Sequence, residues 1–129
     1  MVFHNIRKID GIKLEDYKDS LSPIKNKEKI TQSFASGGNS DNPIIFTHDK
    51  KYLIKSISRS EKDMFVKILP EYHRRMKEVK SFLCRVYGLY CILINNKEQA
   101  YVIVMRNMCD ISVNVFLKLN FSIEFVLLI

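Results

Sequence analysis

Tryptophan is absent from the 129 residues, and glycine (4), proline (3) and cysteine (3) are scarce. The cysteines, Cys84, Cys91 and Cys109, form an odd set without metal-ligand spacing. That argues against a disulfide framework or a zinc module and for a reducing compartment, where two of these thiols pack in apolar runs as small hydrophobes. No G-x-G-x-x-G, H-R-D or D-F-G occurs, so a protein kinase is not the expected reading. The N-terminus, Met1 to Lys8, lacks the apolar core of a signal peptide, and no clean apolar run is long enough for a bilayer. His4, His48 and His73 are scattered, with no nucleophile or metal-spaced carboxylate to pair with, and internal repeats are missing. What remains is the composition of one modest domain with a real core.

Charge is present but unevenly placed. Residues 1–49 hold seven basic and seven acidic groups, residues 86–129 three of each, and residues 50–85 eleven basic against four acidic, so the whole net charge of +7 arises in that middle segment. Lys62, Lys67, Arg74, Arg75, Lys77 and Lys80 lie on or just after a predicted helix. A basic face there gains about 1 kcal/mol per residue near an anionic leaflet. The bland counterpart is a solvated face whose long stems cover apolar surface. Neither an aromatic-interleaved basic motif nor a helix-turn-helix pattern occurs, so nucleic acid is not an expected partner.

Alternation in Tyr52-Leu53-Ile54-Lys55-Ser56-Ile57 predicts a strand with Leu53, Lys55 and Ile57 on one face, an apolar face from which a lysine projects. The next segment predicts a helix from about Arg59, with Phe65, Ile68, Leu69 and Tyr72 as its apolar stripe and Pro70 interrupting it after Leu69. Glu61 falls on that stripe, which makes it the expected partner of Lys55. Upstream, Leu14–Leu21 carries a short helical signal after the Asp10-Gly11 break. Residues 22–43 lose periodicity and read as a long loop ending in turn chemistry. Ile44-Ile45-Phe46 is a strand, turned by Asp49-Lys50 into the Lys55 strand. Leu83–Ile94 and Ala100–Met105 are two more strands, joined by a hairpin turn at Asn95–Gln99. The order is strand, strand, helix, strand, strand: an α+β fold with an antiparallel sheet and a long helix packed on it, as in a kinase-like small lobe.

Several separated segments, in order, carry a resemblance. Phe3–Arg7, Gly11–Leu21, Tyr52–Ile57, Lys67–Tyr72, Arg85–Tyr90 and Val102–Asn107 resemble the catalytic domain of phosphatidylinositol phosphate kinases, the phosphatidylinositol-4-phosphate 5-kinase type above all, over about residues 3–110. The resemblance implies ATP-dependent phosphorylation of an inositol ring hydroxyl of a membrane phosphoinositide, with magnesium. It implies that Lys55 binds the ATP phosphates, that Glu61 orients it, and that Met105, Arg106 and Asn107 form the hinge meeting adenine; Gly37 and Gly38 supply the flexible approach to the phosphates if the phosphate loop is shifted from the family register. Here the sequence departs from the family pattern, since Ser40-Asp41-Asn42-Pro43 sets Asp41 near a triphosphate, a like-charge conflict. The implied setting is cytoplasmic and peripheral to a membrane, with a phosphoinositide and a second copy of the chain as partners.

Past Asn107 the family's D-L-K-G segment, catalytic aspartate and magnesium-binding aspartate do not appear. The expected division is therefore 1–110 as a partial catalytic domain truncated before the large lobe and 111–129 as an unmatched apolar tail, which reads as truncation or read-through. Lys118, Asn120 and Glu124 make that tail a costly membrane span. With no catalytic residue and no magnesium ligand of its own, the 129-residue chain is expected to be inactive alone. The alternative is a non-catalytic kinase-like module that binds an anionic membrane or a protein partner through the basic helix.

Overall fold

The computed structural model describes residues 1–35, 44–78, 81–94 and 98–108. In chain order the elements are α1 (Val2–Ile9), α2 (Leu14–Ser20), α3 (Lys27–Ala35), β1 (Ile44–Phe46), β2 (Tyr52–Ile57), α4 (Arg59–Met76), β3 (Val86–Ile94) and β4 (Glu98–Arg106). The strands form one antiparallel sheet in the order β1-β2-β4-β3. This is the expected α+β architecture. No described helix is long and apolar enough to cross a membrane.

The alternation of β2 sets its two faces. Leu53, Lys55 and Ile57 lie opposite Met105, Ile103 and Tyr101 of β4, respectively. On the other face Tyr52 meets the rings of Tyr17 and Tyr87 edge-on, at centroid distances of 5.3 and 5.6 Å. Tyr87 lies where the register of β3 shifts between Val86 and Gly88, so it is the extra residue of a bulge. Gly88 follows because a Cβ there would stand 2.5 Å from Tyr90 Cε2 and 2.7 Å from Tyr17 Oη. The Tyr17 and Tyr90 hydroxyls are hydrogen-bonded at 3.0 Å, and the Arg7 guanidinium covers the Tyr17 ring at 4.7 Å, which docks α1 and α2 on the sheet.

Four elements differ from the sequence expectation. The stretch expected to be loop contains α3, whose segment from Lys27 to Gln32 offers only Ile30 as an apolar residue and so lacks a readable stripe. α4 does not stop at Leu69: it runs through Pro70 to Met76. Pro70 is exposed, so water reaches the Val66 carbonyl that the missing N–H would have bonded. The buried stripe is accordingly Phe65, Tyr72 and Met76, with Leu69 half-buried, and Ile68 is 37% exposed. β3 begins at Val86 rather than Leu83, and β4 reaches back to Glu98. The Tyr72 hydroxyl accounts for the strand start, because it accepts the Val86 N–H at 2.7 Å and donates to the Cys84 carbonyl at 2.6 Å.

Candidate functional site

Lys55 sits on an interior strand, with Ile44 of β1 beside it on one side and Ile103 of β4 on the other. It is 6% exposed, the one cationic residue among the buried described side chains. Taking an ammonium this far from water is costly unless its charge is used, and the low local polarity strengthens any anion it meets.

Glu61 is placed elsewhere than expected. Ser58, the residue before α4, accepts the Glu61 N–H on its Oγ at 3.2 Å, and Glu61 Oε2 accepts the Ser58 N–H at 2.6 Å. This is a capping box, and the Ser58-Arg59-Ser60-Glu61 spacing is its sequence signal. Among the described residues no ion pair joins Glu61 to Lys55. The glutamate satisfies the start of the helix instead.

At the end of β4, Met105 is buried while Arg106 is exposed. The main-chain N–H of Arg106 donates to the Arg85 carbonyl at 2.8 Å, and that of Asn107 to the Lys51 carbonyl at 3.0 Å. Asn107 Nδ2 also donates to the Lys50 carbonyl at 2.7 Å. Asn107 is thus tied to the β1–β2 turn, in which Lys50 adopts a left-handed φ of 58°.

That turn rests on a polar cluster the sequence did not reveal. Asp49 accepts from Ser20 Oγ at 2.5 Å, from Thr47 Oγ1 at 2.7 Å and from the Lys51 N–H at 3.2 Å. Burial pushes the Asp49 carboxyl up, but the bonds from Ser20, Thr47 and Lys51 outweigh it and hold the group below the usual aspartate range. Only the Asp-Lys dipeptide signalled a turn; its partners lie on other elements.

The cations assigned to a basic helix face are not equivalent. Lys62 pairs with Asp63 and lies 5.1 Å over the Tyr101 ring, so it faces the sheet. Arg74 binds Glu71 at 2.6 Å and Glu78 at 3.0 Å, and Arg75 binds Glu71 at 3.2 Å. Hydrogen bonding and charge from Arg74, then Arg75, lower Glu71 to about 2. The outward face is therefore mixed rather than basic. Lys67 and Lys77 are exposed and make no such pair among the described residues, while Lys80, Gly37, Gly38 and Asp41 lie outside them. No group of three or more His, Cys, Asp or Glu residues among the described ones has the geometry to hold a metal ion.

The family described as phosphatidylinositol-4-phosphate 5-kinase matches residues 25–119. A phosphatidylinositol 4-phosphate 5-kinase of Plasmodium falciparum is 32% identical over 120 residues, covering 83% of this chain and 7% of that protein. Phosphatidylinositol 4-phosphate 5-kinase 3 of Arabidopsis thaliana is 29% identical over 109 residues, 84% of this chain and 15% of the relative. The human type-1 alpha enzyme is 28% identical over 119 residues, 92% of this chain and 20% of the relative. The chain thus spans between 7% and 20% of the length of these relatives.

Proposed function

The chain belongs to the phosphatidylinositol-4-phosphate 5-kinase family, and we propose that its sheet is the roof of an ATP site serving transfer of the γ-phosphate to a ring hydroxyl of a membrane phosphoinositide. The observation that carries this reading is the burial of Lys55 between Ile44 and Ile103 on an interior strand. An ammonium in a water-poor setting is a strong electrostatic partner for phosphate oxygens.

The end of β4, from Met105 to Asn107, takes the adenine edge. Because Arg106 and Asn107 turn their N–H groups into the fold, the main-chain donor to the base falls to the exposed Met108. Glu61 contributes by fixing the first turn of α4 directly after the Lys55 strand. Gly37 and Gly38 remain the loop glycines assigned to the phosphates. The family reaction uses magnesium, and none of the described residues is assigned to it. Exposed Lys67 and Lys77, with the net charge of +7, favour a cytoplasmic anionic lipid surface, and a second copy of the chain is the proposed protein partner.

Calorimetric titration of ATP and of adenosine into the wild-type chain and Lys55→Met tests the assignment. ATP affinity is expected to fall at least roughly tenfold in the variant, while adenosine affinity stays level. Equal ATP affinity in both proteins overturns the role of Lys55.

A further inference from the structure

We propose that Asn107 is a positioning residue of this nucleotide site, one that sets the path of the β4 end by clamping it to the β1–β2 turn. The inference rests on the ATP-site reading above and adds a relay that reaches the site from the N-terminal helices.

The clamp has two points. Asn107 donates its side-chain Nδ2 to the Lys50 carbonyl and its main-chain N–H to the Lys51 carbonyl, so one residue holds two successive peptide units. Two bonds on adjacent carbonyls fix direction as well as distance, which a single ladder bond does not. The acceptors are themselves held. The Lys50 N–H donates to the Thr47 carbonyl at 2.9 Å, and the Lys51 N–H to Asp49.

From Asp49 the chain of bonds continues to α2 through Ser20 Oγ. Asn26 reinforces it: its Oδ1 accepts the His48 N–H at 2.7 Å, and its Nδ2 donates to the carbonyls of Ser20 at 2.9 Å and Ser22 at 2.7 Å. Ser20, Asn26 and Thr47 are each at most 2% exposed and hydrogen-bonded, the condition under which a buried polar network stiffens rather than weakens a fold. The turn is therefore a rigid anchor. A base read by main-chain groups just past such an anchor gains from it, because small displacements of positioning groups are expensive. An aspartate at 107 has no Nδ2 donor and a glutamine is one carbon longer, so the amide of asparagine matches the Lys50 carbonyl.

Titration of ATP and adenosine into Asn107→Ala, Asp49→Ala and the double variant, beside wild type and Lys55→Met, tests the clamp. Asn107→Ala is expected to weaken ATP and adenosine by the same factor, roughly tenfold, in contrast to the ATP-only effect of Lys55→Met. Asp49→Ala, which loosens the turn and its tie to α2 without altering the β4 end itself, is expected to weaken adenosine as well, and the double variant to be no weaker than the worse single one. Unchanged adenosine affinity in Asn107→Ala, or independent multiplication of the two effects, overturns the clamp and leaves the ATP site standing. A wild-type chain that binds neither ligand overturns both. Should Asn107→Ala fail to fold, amide hydrogen exchange at residues 105–108 in Asp49→Asn gives a second reading: faster exchange supports the relay and unchanged exchange overturns it.

Discussion

The hydroxyl of Tyr72 and the main-chain N–H of Val86 are hydrogen-bonded at 2.7 Å, so that the fourth turn of α4 specifies where β3 begins. The same hydroxyl donates to the Cys84 carbonyl, and burial pushes its ionisation far above the usual tyrosine range.

Tyr72→Phe deletes that oxygen without changing the ring. The Val86 N–H is then left buried and unpaired, and a loss of about 1–3 kcal/mol is expected. Chemical denaturation gives the number; a loss within about 0.3 kcal/mol would mean that water or a shifted strand replaces the bond.

Glu61→Gln separates the capping role from an ion pair with Lys55. Glutamine serves the same reciprocal cap, so stability is expected to change by less than about 0.5 kcal/mol and ATP affinity by less than about twofold. A large fall in ATP affinity at unchanged stability would instead show that the carboxylate reaches Lys55 when nucleotide is bound.

Acid should loosen the β1–β2 turn. Asp49 titrates lower in the folded chain than its unfolded value of about 3.9. Its contribution to stability is therefore complete above that value and is lost as pH falls through the lower folded one. Denaturation midpoints between about pH 5 and pH 2 are expected to fall less steeply in Asp49→Asn than in wild type. Parallel curves would place the acid sensitivity in other carboxylates.

Pro70→Ala should stabilise the chain. An alanine restores an N–H for the Val66 carbonyl and removes the ring from a continuous helix, which outweighs the extra freedom of the unfolded state by about 1–3 kcal/mol. A rise in Tm checks this, and a fall would show that the helix needs its proline.

The sheet was legible in the sequence because alternation survives wherever a strand has one buried face, as at Tyr52–Ile57. The α4 core was legible for the same reason at helical period. Pro70 misled because the penalty for proline inside a helix depends on whether the freed carbonyl can reach water, and exposure is a tertiary fact. α3 was hidden by having too few apolar residues to show a period. The place of Lys55 on an otherwise apolar strand face was legible from the same alternation. Glu61 was noticed for its charge, although Ser58 three residues earlier already carried the capping signal. Asn107 was picked out as part of the β4 end, but its bond to Lys50 joins residues 57 positions apart and leaves no local trace.

In the sheet order β1-β2-β4-β3 the two interior strands are not neighbours in the chain. β1 with β2, and β3 with β4, are hairpins that close over short loops on the microsecond scale. Joining them means closing the long loop that carries α4, so the slower step comes last. Ile44 flanks Lys55 from its own hairpin, but Ile103 arrives only with the other. A chain arrested before that docking would hold most of its helix and strand content, and far-ultraviolet circular dichroism would pass it as native. The enclosure of Lys55 is in this sense the final event of folding, and loss of ligand binding is an earlier warning of misassembly than loss of secondary structure.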